Sequence, residues 1–315
     1  MKNSILFIFL FSLSFIFSQE ELNDEDLHQI PTKWKLGEER LVSIVEISYI
    51  YFDDTLFSES KTSEDYLLRV IDTTNRTTLL LHHKNKFKEE EIEHTDHNEM
   101  LKSFLTSVEK RMTGLPYELL IDRSTGLAFE VKNTEVYEEN LSKVTDEVID
   151  DYKQYMSQEA DTTFKENVMT YLKNSKSNVF DLVIGIANEI LEPYSYVFPL
   201  NSSLTKKVVI DNISVVETAS KQEVPAELFI SSEENEETIS VNTNLTYDKE
   251  AYLKLVKQYN AAFINVKSED ISIIERKSFE VNKNTNWLTT YSSEMLTQVP
   301  GAKIVQISTF YFNEE

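Results

Sequence analysis

YELLIDRSTGLAFEV, residues 117–131, decides the fold. Two runs, Tyr117 to Asp122 and Leu127 to Val131, flank Arg123-Ser-Thr-Gly126. Gly126 supplies the positive φ that a tight turn between antiparallel strands requires. The segment therefore reads as a β-hairpin, and its neighbours on both sides read as helices. Upstream, Asp96 with Glu99 three residues on has the form of a capping box. Met100, Leu101, Phe104, Leu105, Val108 and Met112 then form one apolar face, giving a helix to about Arg111 that Gly114 stops. Downstream, Thr134 to Met156 carries the stripe Val136, Leu141, Val144, Val148, Tyr152 and Tyr155, with acidic residues on the opposite side. Phe164 to Leu172 is a shorter helix. Ser177 or Asn178 caps a third, Val179 to Leu191, which is apolar around most of its circumference and so predicted to be central; Pro193 ends it.

Beyond the helices the pattern changes to period two. Arg40 to Phe52, Glu64 to Asp72 and Arg76 to His83 read as strands, Asp72 to Asn75 as a turn, and Phe87 to Ile92 as a fourth strand. On the C-terminal side Lys206 to Val216, Val224 to Ile230 and Glu237 to Thr246 precede an amphipathic helix, Asp248 to Phe263. Ile271 to Val281, Trp287 to Met295 and Ile304 to Phe312 close the chain as a meander. Two β-rich parts (34–132 and 205–315) around a helical middle (134–192) predict a single α+β domain over 34–315, with a curved antiparallel sheet and the helices packed on one face. No repeat of fixed period is visible.

The N-terminus supplies an address. Lys2, an apolar run from Ile5 to Phe17 and Ser18-Gln19 precede an acidic lead-in over residues 20–33. That order is a secretory signal peptide over residues 1–19. Thirteen helical residues reach about 20 Å, short of the roughly 30 Å hydrocarbon core. The expectation is export to the periplasm or beyond, as a soluble protein after processing. The chain has no cysteine, which excludes disulfides, thiolate catalysis, sulfur-based zinc sites and a cysteine-linked lipid anchor. A net charge of −23 repels nucleic acid and anionic membrane surfaces. Five Asn-x-Ser/Thr triplets begin at Asn75, Asn140, Asn201, Asn212 and Asn244. In a chain this rich in Asn, Ser and Thr they read as chance, and a cysteine-free exported protein suits a bacterial periplasm.

Three pieces carry a family resemblance: Trp34 to Glu38, Leu115 to Asn133, and SFEVNKNTNWLTTY from Ser278 to Tyr291. Together they resemble uncharacterised exported α+β proteins common in Bacteroidota, in which a strand, a short Asp/Gly turn and a returning strand recur. Asn286 stands before Trp287 where that pattern more usually has glycine. The resemblance implies no catalytic or binding residue. More distantly, a helix-covered antiparallel sheet is similar to periplasmic lipoprotein carriers, whose half-barrels hold an acyl chain; this implies an apolar ligand by fold analogy alone.

Candidate chemistry is sparse. His82, His83, His94 and His97 lie within sixteen residues, near Glu89, Glu90, Glu91 and Asp96. Imidazole with carboxylate suits zinc, nickel or copper. A sheet turns adjacent His82 and His83 to opposite faces, which leaves His94 and His97 as weak metal candidates. Glu233, Glu234, Glu236 and Glu237 lack the ordered spacing of a calcium loop and read as a solvated turn. Glycine occurs only at 37, 114, 126, 185 and 301, too sparse for a nucleophile elbow, a Walker loop or a dinucleotide fingerprint. Tyr194, Tyr196 and Phe198 cluster after the central helix and are candidate apolar-ligand residues. The sequence thus points to a non-catalytic exported protein, without cofactor, binding an apolar or lipid-like ligand in the envelope. A structural or protein-interaction module is the alternative, and a cryptic hydrolase the third reading.

Overall fold

The computed structural model of the chain describes residues 15–16, 27–74, 76–84, 97–152, 161–174, 176–210, 223–259 and 265–314. They fall into two compact units. The helical unit contains Pro31–Ser43, Glu64–Ser195 and the C-terminus from Phe312. The sheet unit contains Ile44–Ser63, Tyr196–Tyr311 and the described residues up to Ile30. Two long strands, β3 (Glu39–Phe52) and β4 (Thr55–Asp72), follow the short β1 (Phe15–Ile16) and β2 (Leu27–Gln29), and each contributes a segment to both units.

In the helical unit the proximal parts of β3 and β4 continue into β5 (Thr77–His83), β6 (Tyr117–Ile121) and β7 (Ala128–Val131), in that order across the sheet. Helix α1 (His97–Thr113) stands between β5 and β6 in the chain, and α2 (Glu135–Tyr152), α3 (Asp161–Asn174) and α4 (Lys176–Leu191) follow β7. Phe104, Val108 and Met112 of α1 and Val179, Val183, Ala187 and Ile190 of α4 are buried, at the i, i+4, i+8 spacing that makes one helix face. Helix α4 is accordingly amphipathic, with Leu182 exposed, and not the all-round apolar helix its composition suggests. On α2 the buried stripe is Tyr137, Leu141, Val144 and Val148. Tyr137 takes the place expected of Val136 because its hydroxyl donates to the Leu172 carbonyl (2.6 Å), satisfying the polar end of a side chain that is otherwise core.

In the sheet unit β8 (Val197–Pro199) pairs with β2. Strands β9 (Ser203–Ile210), β10 (Val224–Glu234), β11 (Thr238–Tyr247), β12 (Ser272–Asn282), β13 (Leu288–Val299) and β14 (Ala302–Asn313) then lie in sequence order, β1 flanking β9 and the distal parts of β3 and β4 beyond β14. Helix α5 (Lys249–Tyr259) connects β11 to β12. The described pairings are antiparallel and the sheet is not closed into a barrel, so the chain is α+β as its sequence predicts. Strand β4 begins at Thr55, not at Glu64. Its first half, TLFSESKTS, is polar and mostly exposed, and the Asp53-Asp54 turn, both residues at positive φ, folds it back after β3.

The two units share a supersecondary plan that no fixed-period repeat announces. The order β4-β5-α1-β6-turn-β7 in one matches β10-β11-α5-β12-turn-β13 in the other. The turns match bond for bond. Asp122 N–H donates to the Leu127 carbonyl (2.9 Å) and Gly126 N–H to the Asp122 carbonyl (2.8 Å); Asn282 N–H donates to Trp287 (2.9 Å) and Asn286 N–H to Asn282 (2.8 Å). The Asp122 carboxylate accepts from Ser124 N–H and the Asn282 amide oxygen from Asn284 N–H. Both hairpins also slip register at the same place, between Leu120 and Ile121 and between Glu280 and Val281. Asn286 sits at φ 59 where Gly126 sits at φ 73. Asparagine tolerates that left-handed position; the glycine at 126 has a second reason. A Cβ there would lie 2.5 Å from Tyr194 Cβ.

Candidate functional site

The three aromatic candidates are all spent on packing. Tyr194 is fully buried in the helical unit, edge-on to Trp34 at 5.0 Å and against Gly126. Tyr196 and Phe198 belong to the sheet unit, where both rings meet Phe279 (5.8 and 6.4 Å). The structure thus brings Tyr196 and Phe198 together and gives Tyr194 a separate task.

Of the clustered histidines, the described side chains are those of His82 and His83, adjacent on β5. His83 is buried at the end of β5, edge-on to Tyr66 (4.8 Å), with Glu64 Oε2 at 3.8 Å; Tyr66 donates to that same carboxylate. Burial holds the His83 pKa below its usual 6.5, and Glu64 opposes the shift. His82, on the other face, is lowered by burial and by Lys84. His94 lies outside the described residues; His97 opens α1, and its side chain also lies outside them, as does the Phe87 to Ile92 segment expected as a strand. Among the described residues no group of three or more His, Asp or Glu side chains is placed to hold a metal ion. The acidic turn is organised internally: the Asn235 amide oxygen accepts from Glu237 and Thr238 N–H, and Lys283 pairs with Glu234. Of the Asn-x-Ser/Thr sites, Asn75 and Asn212 lie outside the described residues. Asn140 lies in α2, its amide donating to the Val136 carbonyl, Asn201 occupies an exposed turn, and Asn244 is mid-strand in β11.

The unusual surface is in the sheet unit. Burial alternates over Val224–Ser232 of β10, Val241–Tyr247 of β11 and β12. Leu228, Ile230, Val241, Leu245, Phe279 and Val281 face inward, while Phe229, Asn242, Arg276 and Ser278 face outward. This is the half-buried face expected of an antiparallel sheet. The alternation stops at β13. From Ser292 to Thr309, and from Val45 to Ser63, no residue is fully buried on either face. These stretches nonetheless carry Ile47, Tyr49 and Tyr51 on β3, Leu296 on β13, and Val305 and Ile307 on β14, all half-buried. The Lys303 ammonium lies over the Tyr51 ring at 5.5 Å. Lys303, Val305 and Ile307 share one face of β14, and Val305 pairs with Leu296. Tyr51 with Tyr49 and Ile47 therefore belongs to the same, outward face. The result is one apolar band over three strands. The helical unit continues from β7 into three helices; the sheet unit continues from β13 into β14 instead.

Two hollows border this band. One, about 480 Å³ at the strand ends, is lined by Asp53, Asp54, Glu269 and Asp270 with Lys249 and Lys303. The other, about 440 Å³ on the outward face of β10–β13, is lined by Phe229, Asn242, Asn244, Arg276, Ser292 and Glu294 among others. On the inward face Glu275 and Lys277 form a buried ion pair at 2.8 Å. Lys277 occupies the position that Tyr117 holds in the matching hairpin, counted back from Asn282 and Asp122. Tyr117 is itself fully buried, packs edge-on to Phe180 (5.8 Å), and has a hydroxyl with no hydrogen-bond partner among the described residues. Burial, with Tyr137 nearby, drives its pKa far up. Sequence reasoning missed both polar positions, although the Glu-Arg-Lys break in ISIIERKSFEV was a visible signal for one of them.

No protein-family profile matches the chain, and no curated protein does. A solved structure of lipovitellin, concerned with its lipid–protein interactions, is similar at 9% sequence identity with a TM-score of 0.44. The alignment covers 89% of this chain and 25% of the lipovitellin chain, so this chain spans about a quarter of that protein's length.

Proposed function

We propose that the chain is an exported, non-catalytic binding protein, and that the outward apolar band of the sheet unit holds a lipid-like ligand. The observation that carries this reading is the run of half-buried Ile47, Tyr49, Tyr51, Leu296, Val305 and Ile307 on an open sheet. An antiparallel sheet gains its stability by removing one face from water, at about 25 cal/mol per Å² of apolar surface. A band that stays half wet on three adjacent strands leaves part of that gain unrealised, and a flexible apolar chain laid along it would realise it. Two aromatic rings and four branched aliphatic side chains make a surface with no directional demand, suited to a hydrocarbon. The signal-like N-terminus supports export to the periplasm or beyond.

Titration of the full chain with cis-parinaric acid tests this. Saturable fluorescence enhancement is expected, weakened at least tenfold in Ile307→Lys and Leu296→Lys with the circular dichroism unchanged. Equal binding by wild type and both variants would refute the site. A protein-interaction module is a second reading, favoured by the exposed Phe52 and Phe57, whose rings meet edge-on at 5.1 Å beside the Asp53-Asp54 turn. Under that reading Phe57→Ser abolishes capture of a partner from the host envelope and leaves parinarate binding intact.

A further inference from the structure

Beside the apolar band the same outward face changes character. Strand register sets one continuous row across five strands: Phe229 opposite Asn244, Asn244 opposite Arg276, Arg276 opposite Glu294, and Glu294 opposite Ile307. Ile307 belongs to the apolar band, so the row leads from hydrocarbon-like surface into the 440 Å³ hollow without a break. The next row, Ser231, Asn242, Ser278, Ser292 and Thr309, consists of hydroxyl and amide groups with no charge. A hollow of this size lies within the range that small ligands occupy.

From this arrangement we infer that the ligand is an amphiphile whose polar end is a neutral, hydroxyl-rich group of the sugar class, seated among Asn244, Arg276 and Glu294. The inference rests on the proposed apolar band and extends it. Three features select the chemistry. Arg276 and Glu294 lie 3.5 Å apart and cancel, so a phosphate or sulfate meets the carboxylate and an ammonium meets the guanidinium. A neutral group meets neither penalty and can use both as strong hydrogen-bonding partners. The Asn244 amide oxygen is buried and has no hydrogen-bond partner among the described residues. Such an acceptor is desolvated by folding without return, and it is matched by a ligand that donates. Sugar hydroxyls donate; ether or ester oxygens do not. Phe229 stands exposed at the rim of the hollow, offering a flat apolar face to the C–H side of a ring. Asn244 to Glu294 spans two strand spacings, about 10 Å, with donors and acceptors alternating along the way.

The test holds the tail constant and varies the head. Isothermal titration of the full chain, below the critical micelle concentrations, uses n-dodecyl-β-D-maltoside, dodecylphosphocholine and octaethylene glycol monododecyl ether. The maltoside is expected to bind at least tenfold tighter than the other two; the polyether is the informative control, being neutral but without multiple donors. Asn244→Ala and Arg276→Gln should erase that preference and leave binding at the level of the polyether, while Ile307→Lys should weaken all three. Equal binding of the three amphiphiles overturns the sugar-class inference and leaves the apolar band standing. Maltoside preference unchanged in both Asn244→Ala and Arg276→Gln overturns the placement. Absence of binding by any of them overturns the band and the inference together.

Discussion

Gly126→Ala and Gly37→Ala, compared side by side, isolate one contact that the fold depends on. Both glycines lie in the helical unit at positive φ, +73 and +84. Alanine in that left-handed region costs about 1–2 kcal/mol, partly offset by about 0.4–1 kcal/mol from the stiffer unfolded chain. A Cβ on Gly37 meets nothing within 4 Å, so Gly37→Ala should cost about 0–1.6 kcal/mol. A Cβ on Gly126 would stand 2.5 Å from Tyr194 Cβ and 3.3 Å from the Tyr194 carbonyl carbon and oxygen. Those atoms lie at the backbone, and no side-chain rotation moves them. The backbone must shift, which adds the about 1–3 kcal/mol typical of overpacking. Gly126→Ala should therefore cost about 1–5 kcal/mol, a large part of a total stability of about 5–15 kcal/mol. Equilibrium urea unfolding, read by circular dichroism and by the fluorescence of a Trp287→Phe background in which Trp34 beside Tyr194 is the remaining tryptophan, measures both. Equal midpoints for the two variants would refute the contact. The matching turn supplies the internal control, since Asn286→Gly relieves strain there and should stabilise.

Other outcomes follow from groups already placed. Asn188 on α4 both donates to the Ala128 carbonyl (3.0 Å) and accepts from Ala128 N–H (2.7 Å), clamping edge strand β7. Asn188→Ala should cost about 1–3 kcal/mol by leaving both groups of Ala128 unpaired, seen as faster amide exchange at residues 128–131. Tyr117→Phe removes a hydroxyl without a partner among the described residues and should leave the urea midpoint unchanged or higher. Lys277→Ala, at the matching position, strands buried Glu275 and should cost about 3–5 kcal/mol. His83 and His82 bind protons less readily folded than unfolded. Stability should therefore rise with pH through the window between their lowered folded pKa values and 6.5, and fall on acidification through it. His83→Phe should flatten the stability profile between pH 7 and 5, and an unchanged slope would discount His83.

Most of the elements were legible because their periodicity is strong. The Tyr117 to Val131 hairpin, the C-terminal meander and the helix faces of Phe104-Val108-Met112 and Leu141-Val144-Val148 stand where spacing places them. Local pattern failed where a partner strand decides. Thr55 to Ser63 has no apolar alternation and is a strand because the Asp53-Asp54 turn returns it along β3. Asn188 reads as an interruption of an apolar helix, and only its distance to Ala128 shows it as a clamp. The proposed apolar band was not legible in the sequence. Tyr194, Tyr196 and Phe198 are apolar and close in sequence, which is also how a core is written. The band of Tyr49, Leu296 and Ile307 joins residues almost 260 positions apart, and no single-chain period can reveal a face assembled by register. The duplicated turn was hidden for the opposite reason: Asp122-Arg-Ser-Thr-Gly and Asn282-Lys-Asn-Thr-Asn share one residue and one geometry.

Photolabelling of the full chain with a diazirine-bearing palmitate, followed by peptide mapping, tests the central claim most directly. The account predicts adducts concentrated on residues 45–51 of β3, 292–299 of β13 and 302–309 of β14, displaced by unlabelled palmitate. Adducts spread evenly over the chain, or concentrated on the helical unit, would contradict it.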